Sequence, residues 1–147
     1  MNPGPDEAGD CQLLFVYGTL RRGGRLHHHL ARTGARFQSE AKVAAELFDL
    51  GSYPGARPVQ GKENWVCGEL FELQHAAHDL EVLDQVEDYS PSHPEHSEYI
   101  RALAKVILPH GEGECSWIYW LSAHAGAGWQ PIAGGDYAAW LKQKEMV

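Results

Sequence analysis

Glu87 stands where a helix would be expected to place an apolar residue. Residues 75–88, HAAHDLEVLDQVED, have a helical pattern, and Ala76, Leu80, Leu83 and Glu87 fall on one stripe at spacings of four, three and four. A carboxylate pressed into low dielectric prefers its neutral form, which raises its pKa. Its neighbours push the same way: Asp79, Glu81, Asp84, Asp88, Glu95 and Glu98 are acidic, and no Lys or Arg lies between residues 79 and 98. A glutamate tuned upward suits general acid or base work near neutral pH. The competing expectation is a helix that frays before residue 87 and leaves Glu87 solvated. On the same pattern Glu81, Asp84 and Asp88 are predicted towards the polar side.

A second candidate is the loop in LFVYGTLRRGG, residues 14–24. Leu14, Phe15 and Val16 read as a buried strand that runs into Tyr17-Gly18-Thr19-Leu20. Such a loop is either an ordinary β-turn or a set of backbone N–H groups that receive a ligand. Gly18 permits close approach of the backbone. The basic segment that follows, Arg21, Arg22, Arg25, Arg32 and Arg36, is either a solvated face or an attraction for an anionic substrate.

These candidates must be positioned by the elements around them. Strands are predicted over 12–17, 65–73, 98–108 and 115–122, and a strand, turn and return over 41–59 with the turn at Tyr53-Pro54-Gly55. In 98–108 the residues Ile100, Ala102, Ala104, Val106 and Leu108 form one apolar face, while Tyr99, Arg101 and Lys105 point the other way. Helices are predicted over 25–33, 75–88 and 134–145, with Gly34 closing the first and Asp136 capping the last. Strands outnumber helices without regular alternation. That predicts an α+β fold, a small and mainly antiparallel β-barrel or sheet with a few flanking helices.

Composition limits the function classes. The 147 residues suit one domain with a sizeable core, expected over 12–147 after a flexible leader at 1–11. A net charge of −8 argues against a nucleic-acid partner. No stretch is long and apolar enough to span a membrane, and the start, MNPGPDEAGD, lacks the basic and apolar regions of a secretory signal. Cys11, Cys67 and Cys115 form no close pair, as expected for a reducing cytoplasm. His75 with His78, and His93 with His96, have chelating spacing, but the cysteines are not placed to complete a four-ligand site. No metal is expected. The five tryptophans are expected mostly in the core.

Taken in order, FVYGTLRRG, GSYPGA, VCGELFEL, LEVLDQVEDY and EYIRALAKV resemble the gamma-glutamyl cyclotransferase-like proteins, over about Leu13 to Val106. The set is most similar to the compact branch with gamma-glutamylamine cyclotransferase and the butirosin-pathway enzyme. The resemblance implies an α+β fold round a small barrel, a substrate loop at Tyr17, Gly18, Thr19 and Leu20, and a catalytic glutamate at Glu87. Tyr99 matches the tyrosine that follows that glutamate, across a longer intervening segment. It further implies a small gamma-glutamyl substrate, no cofactor, and closure of that substrate to 5-oxoproline with release of an amine. The alternative is a protein of the same fold that binds a small molecule without turning it over. The sequence leaves the departing amine and the oligomeric state open.

Overall fold

The structure, a computed structural model, describes residues 11–59 and 63–145. Residues 1–10 of the expected leader lie outside these. In chain order the elements are β1 (Leu13–Val16), α1 (His27–Ala31), β2 (Arg36–Asp49), β3 (Pro54–Pro58), β4 (Trp65–Glu72), α2 (Ala76–Val86), β5 (Tyr99–Ile107), β6 (Gly113–Leu121), β7 (Gln130–Pro131) and α3 (Tyr137–Glu145). Among the described residues, five strands close into a barrel in the order β2–β4–β1–β6–β5. The Lys42 to Ile107 pairing brings β5 back to β2. All neighbours in it are antiparallel except β1 and β6, which run parallel through Leu14 and Trp117.

Strand alternation sorts the apolar residues into two cores, because successive side chains leave opposite faces. Phe15, Val43, Val66, Val106 and Ile118 fill the barrel interior. Leu14, Val16, Phe71, Tyr119 and Leu121 point outwards and meet Leu30 of α1 and Leu80 and Leu83 of α2. The expected stripe on α2 is therefore the buried one. Each buried leucine contributes roughly 1.5–3 kcal/mol relative to an exposed one, so this face fixes how α2 lies on the barrel. Asp136 caps α3 as expected, accepting from Ala139 N–H at 3.2 Å.

Four expectations need correction. The β2–β3 turn lies at residues 50–53, not at Tyr53-Pro54-Gly55. Gly51 has φ +105°, its N–H donates to Asp49 Oδ1 at 2.8 Å, and Pro54 opens β3 on the sheet edge, where no ladder donor is required of it. β2 begins at Arg36, five residues before the expected start, because its first half pairs with β4 across an irregularity at Phe37 and Ser39. Asp84 is buried, not on the polar side of its helix. The tryptophans are half-buried, four of them, Trp117, Trp120, Trp129 and Trp140, packed against the two cores and not fully inside them.

Candidate active site

Glu87 follows directly on α2. The helix ends at Val86, yet the Glu87 N–H still donates to Leu83 O at 3.0 Å, so the residue keeps the register of the buried stripe. Asp88 then takes φ +53° and turns the chain away. The helix does stop before residue 87, but Glu87 is half-buried, not left on a fraying, solvated end. It lines a cavity of about 210 Å³.

The last turn of α2 is pinned from below. Asp84 Oδ1 accepts from Arg101 Nε at 2.7 Å and from the Tyr119 hydroxyl at 2.8 Å, and its Oδ2 accepts from the Arg101 guanidinium at 3.2 Å. These bonds tie the helix to β5 and β6. The Arg101 guanidinium also lies over the Trp117 ring at 4.5 Å. The Tyr119 carbonyl in turn accepts from the Tyr17 hydroxyl at 2.6 Å, and that hydroxyl accepts from Ala56 N–H at 3.1 Å. A connected set of bonds thus joins α2, β5, β6, β3 and Tyr17, the residue after β1.

The loop after β1 forms the facing wall. Arg21 N–H donates to Gly18 O at 3.1 Å, which is a β-turn. The turn is built so that its carbonyls are engaged and its first three amides are not. Thr19 O accepts from Leu26 N–H at 2.9 Å, and Leu20 O pairs with the His27 ring at 2.8 Å. Among the described residues, the N–H groups of Gly18, Thr19 and Leu20 have no hydrogen-bond acceptor. Gly18, Thr19 and Leu20 line the cavity with Glu87. Unpaired amides on a cavity wall are ready donors to an anion or a polarised oxygen. Gly18 has a steric reason of its own, since a Cβ there would come within 2.7 Å of Pro54 Cγ, on the next wall.

The basic segment divides in its use. The Arg22 N–H and Nε both donate to the buried Glu69, at 2.8 and 3.0 Å, and Arg21 pairs with Asp136 at 2.9 Å. Those two arginines anchor the loop. Arg25 lines the cavity.

Electrostatics separate the groups further. Burial, and then the charge of Glu98, raises the Glu87 carboxyl from 4.5 to about 7. Its place at the negative end of α2 acts in the same direction. Among the described residues it accepts no side-chain hydrogen bond that would hold it ionised. Burial raises the Tyr17, Tyr99 and Tyr119 phenols far above their ordinary range, so all three remain donors. Tyr99 is buried on the α2 side of β5 and donates to Pro54 O, which places its ring in the cavity wall.

The family model described as gamma-glutamyl cyclotransferase, AIG2-like matches residues 14–139. The chain belongs to this family. A Vibrio cholerae protein whose name places it with the gamma-glutamylcyclotransferases is 42% identical over 75 residues, 50% of this chain and 63% of its own length. The gamma-L-glutamyl-butirosin B gamma-glutamyl cyclotransferase of Niallia circulans is 34% identical over 77 residues, 52% of this chain and 46% of its own. The chain thus spans about half to two-thirds of these relatives. The crystal structure of an AIG2-like protein from Mus musculus superposes with a TM-score of 0.69 at 26% identity, covering 86% of this chain and 87% of that one.

In this cyclotransferase-family chain the loop candidates Tyr17, Gly18, Thr19 and Leu20 line the same cavity as Glu87 and Tyr99. The sequence reading missed Tyr53, Pro54 and Tyr119 as lining residues, and Asp84 as the anchor; of the basic segment it offered to an anionic substrate, Arg25 is the member on the cavity wall. Glu98 was visible only as one acid in a run. The Tyr53 hydroxyl donates to its Oε1 at 2.6 Å, a pairing across 45 positions that no local pattern announces.

Proposed function

We propose that this chain is a gamma-glutamyl cyclotransferase that converts a gamma-glutamyl amide to 5-oxoproline and a free amine. The observation that carries the reading is the carboxyl of Glu87. It is raised to about 7, has no side-chain hydrogen bond among the described residues, and lines the same cavity as three unpaired amides. A group in that state takes and returns a proton near neutral pH.

The reaction joins two ends of one molecule, so holding the folded conformer removes much of the entropic barrier. The substrate's α-ammonium gives a proton to ionised Glu87. The neutral nitrogen then attacks the side-chain amide carbon, forming the ring bond and placing negative charge on oxygen. Collapse breaks the bond to the departing nitrogen, which receives the proton from Glu87. The freed carboxylate then takes the second hydrogen of the ring nitrogen, leaving the neutral lactam, and passes it to the released amine, which departs as an ammonium. The Gly18–Leu20 amides receive either this oxygen or the substrate's α-carboxylate. A well-placed donor to such an oxygen contributes about 3–4 kcal/mol. The cavity is smaller than the roughly 300–1,000 Å³ that holds drug-sized ligands. Its volume suits a gamma-glutamyl head group whose amine projects outwards.

We take residues 12–147 as one such domain, acting in the cytoplasm without a cofactor. The test is 5-oxoproline release, read by mass spectrometry, from a panel of gamma-glutamyl amides. Wild type should release it from at least one amide, and folded Glu87→Gln should release almost none. Binding without release by wild type would favour a non-catalytic binding protein.

A further inference from the structure

The charges around the cavity do not balance against a gamma-glutamyl group alone. Among the described lining residues, the carboxylates of Glu87, Asp88 and Glu98 stand against one guanidinium, that of Arg25. A gamma-glutamyl head group carries one ammonium and one carboxylate and is neutral overall. Glu87 answers the ammonium, and the loop amides with Arg25 answer the carboxylate. Asp88 and Glu98 are left over.

The two differ in how water treats them. Asp88 is exposed, so solvent screens it. Glu98 is half-buried and fixed in place. Its Oε1 accepts the 2.6 Å bond from the Tyr53 hydroxyl, and the Tyr53 ring packs against the Tyr99 ring at 6.3 Å between centroids. Its Oε2 has no hydrogen-bond donor among the described residues. A carboxylate that is immobilised, partly desolvated and half-paired gains from a cation and repels an anion.

We propose that Glu98, held by Tyr53, is a specificity-determining residue that selects gamma-glutamyl amides whose departing amine carries a second ammonium group. The inference rests on the cyclotransferase reading and adds the chemistry of the leaving group. An alkyl diamine satisfies the free Glu98 oxygen. A neutral alkylamine leaves it unpaired, and an amine with its own carboxylate meets like charge.

The test compares two gamma-glutamyl amides of equal length, that of 1,4-diaminobutane and that of n-pentylamine, which differ by one terminal ammonium. Wild type should prefer the diamine amide in kcat/KM by on the order of tenfold, as for a charge-assisted hydrogen bond. Glu98→Gln should remove most of that preference, and Tyr53→Phe should remove part of it. Any effect of Glu98 on Glu87 touches both amides alike and cancels in the ratio. Equal use of the two amides by wild type, or a preference unchanged in Glu98→Gln, overturns the inference. Turnover of neither amide, nor of any other amide in the panel, overturns the cyclotransferase reading instead. The ratio of calorimetric Kd values for the same amides, wild type against Glu98→Gln, then judges Glu98 by the same criterion.

Discussion

Asp84 and Glu87 lie three residues apart at the end of one helix and meet opposite surroundings. Asp84 accepts from Arg101 and Tyr119 with both oxygens and is buried. Glu87 has no side-chain partner among the described residues and is pushed up to about 7. Both are carboxylates brought out of bulk water. What separates them is the number of donors that reach them. A carboxylate whose lone pairs are engaged is an anchor, because protonation would forfeit its bonds. A carboxylate left without donors in low dielectric keeps its proton up to about neutral pH and is free to exchange it there. The helix end therefore divides the work: one acid fixes the geometry and the next carries the chemistry.

The largest effect should come from removing the unpaired acid. Glu87→Gln keeps the shape and cannot accept a proton, so 5-oxoproline release should fall on the order of a hundred- to ten-thousand-fold. Wild-type kcat/KM should rise with pH through about 7, as Glu87 ionises to its working form. Near-wild-type turnover by folded Glu87→Gln would break the division just described.

Removing the paired acid should show as stability first. Asp84→Ala strands the Arg101 guanidinium, whose side chain is only 17% exposed, beside a buried hydroxyl. Breaking a buried pair from one side costs about 3–5 kcal/mol. Urea unfolding should show that loss. A cost no greater than that of an exposed ion pair would mean that Asp84 is not an anchor.

The fold was legible in the sequence to the extent that its signals are local. The apolar run of β1, the alternation of β5, and the stripe of Ala76, Leu80 and Leu83 each report one face of one element. Together they led to an α+β barrel. The parallel pairing of β1 with β6 was not legible, because it joins segments about a hundred residues apart and leaves no local mark. The two acids show the same limit at the site. Periodicity singled out Glu87 but put Asp84 on the polar side, since its partners Arg101 and Tyr119 are 17 and 35 positions away. Glu98 likewise depends on Tyr53, on the turn before β3.

A third prediction sharpens the contrast through pH. Unfolded, Glu87 ionises near 4.5; folded, near 7. Below about pH 4.5 it is protonated in both states and has no effect on stability. As pH rises from there to 7 the unfolded chain loses its proton first, so the folded state loses stability, about 3 kcal/mol in full above pH 7. Glu87→Gln does not titrate. It should match wild type near pH 4 and exceed it by about that amount at pH 8. A difference that stays flat across this range would show that Glu87 is not held in its neutral form by the fold.

The smallest expected effect isolates the anchor's contribution to the chemistry. Tyr119→Phe removes one hydroxyl and leaves the ring, the packing and the Arg101 pair in place. The hydroxyl donates only to Asp84, at 2.8 Å. Its loss should cost about 1.5–3 kcal/mol, the range for a bond to a charged group. The Tyr17 hydroxyl donates to the Tyr119 backbone carbonyl, so it keeps its partner. Arg101 still grips both Asp84 oxygens, so the last turn of α2 should stay in place and Glu87 with it. Turnover should then fall far less than in Glu87→Gln, and the rise of kcat/KM with pH should remain near 7. The outcome that counts against this view is a collapse of kcat in a well-folded Tyr119→Phe protein. It would place the Tyr119 hydroxyl among the groups that serve the reacting atoms, and the boundary between anchor and chemistry would have to move from between Asp84 and Glu87 to the far side of Asp84.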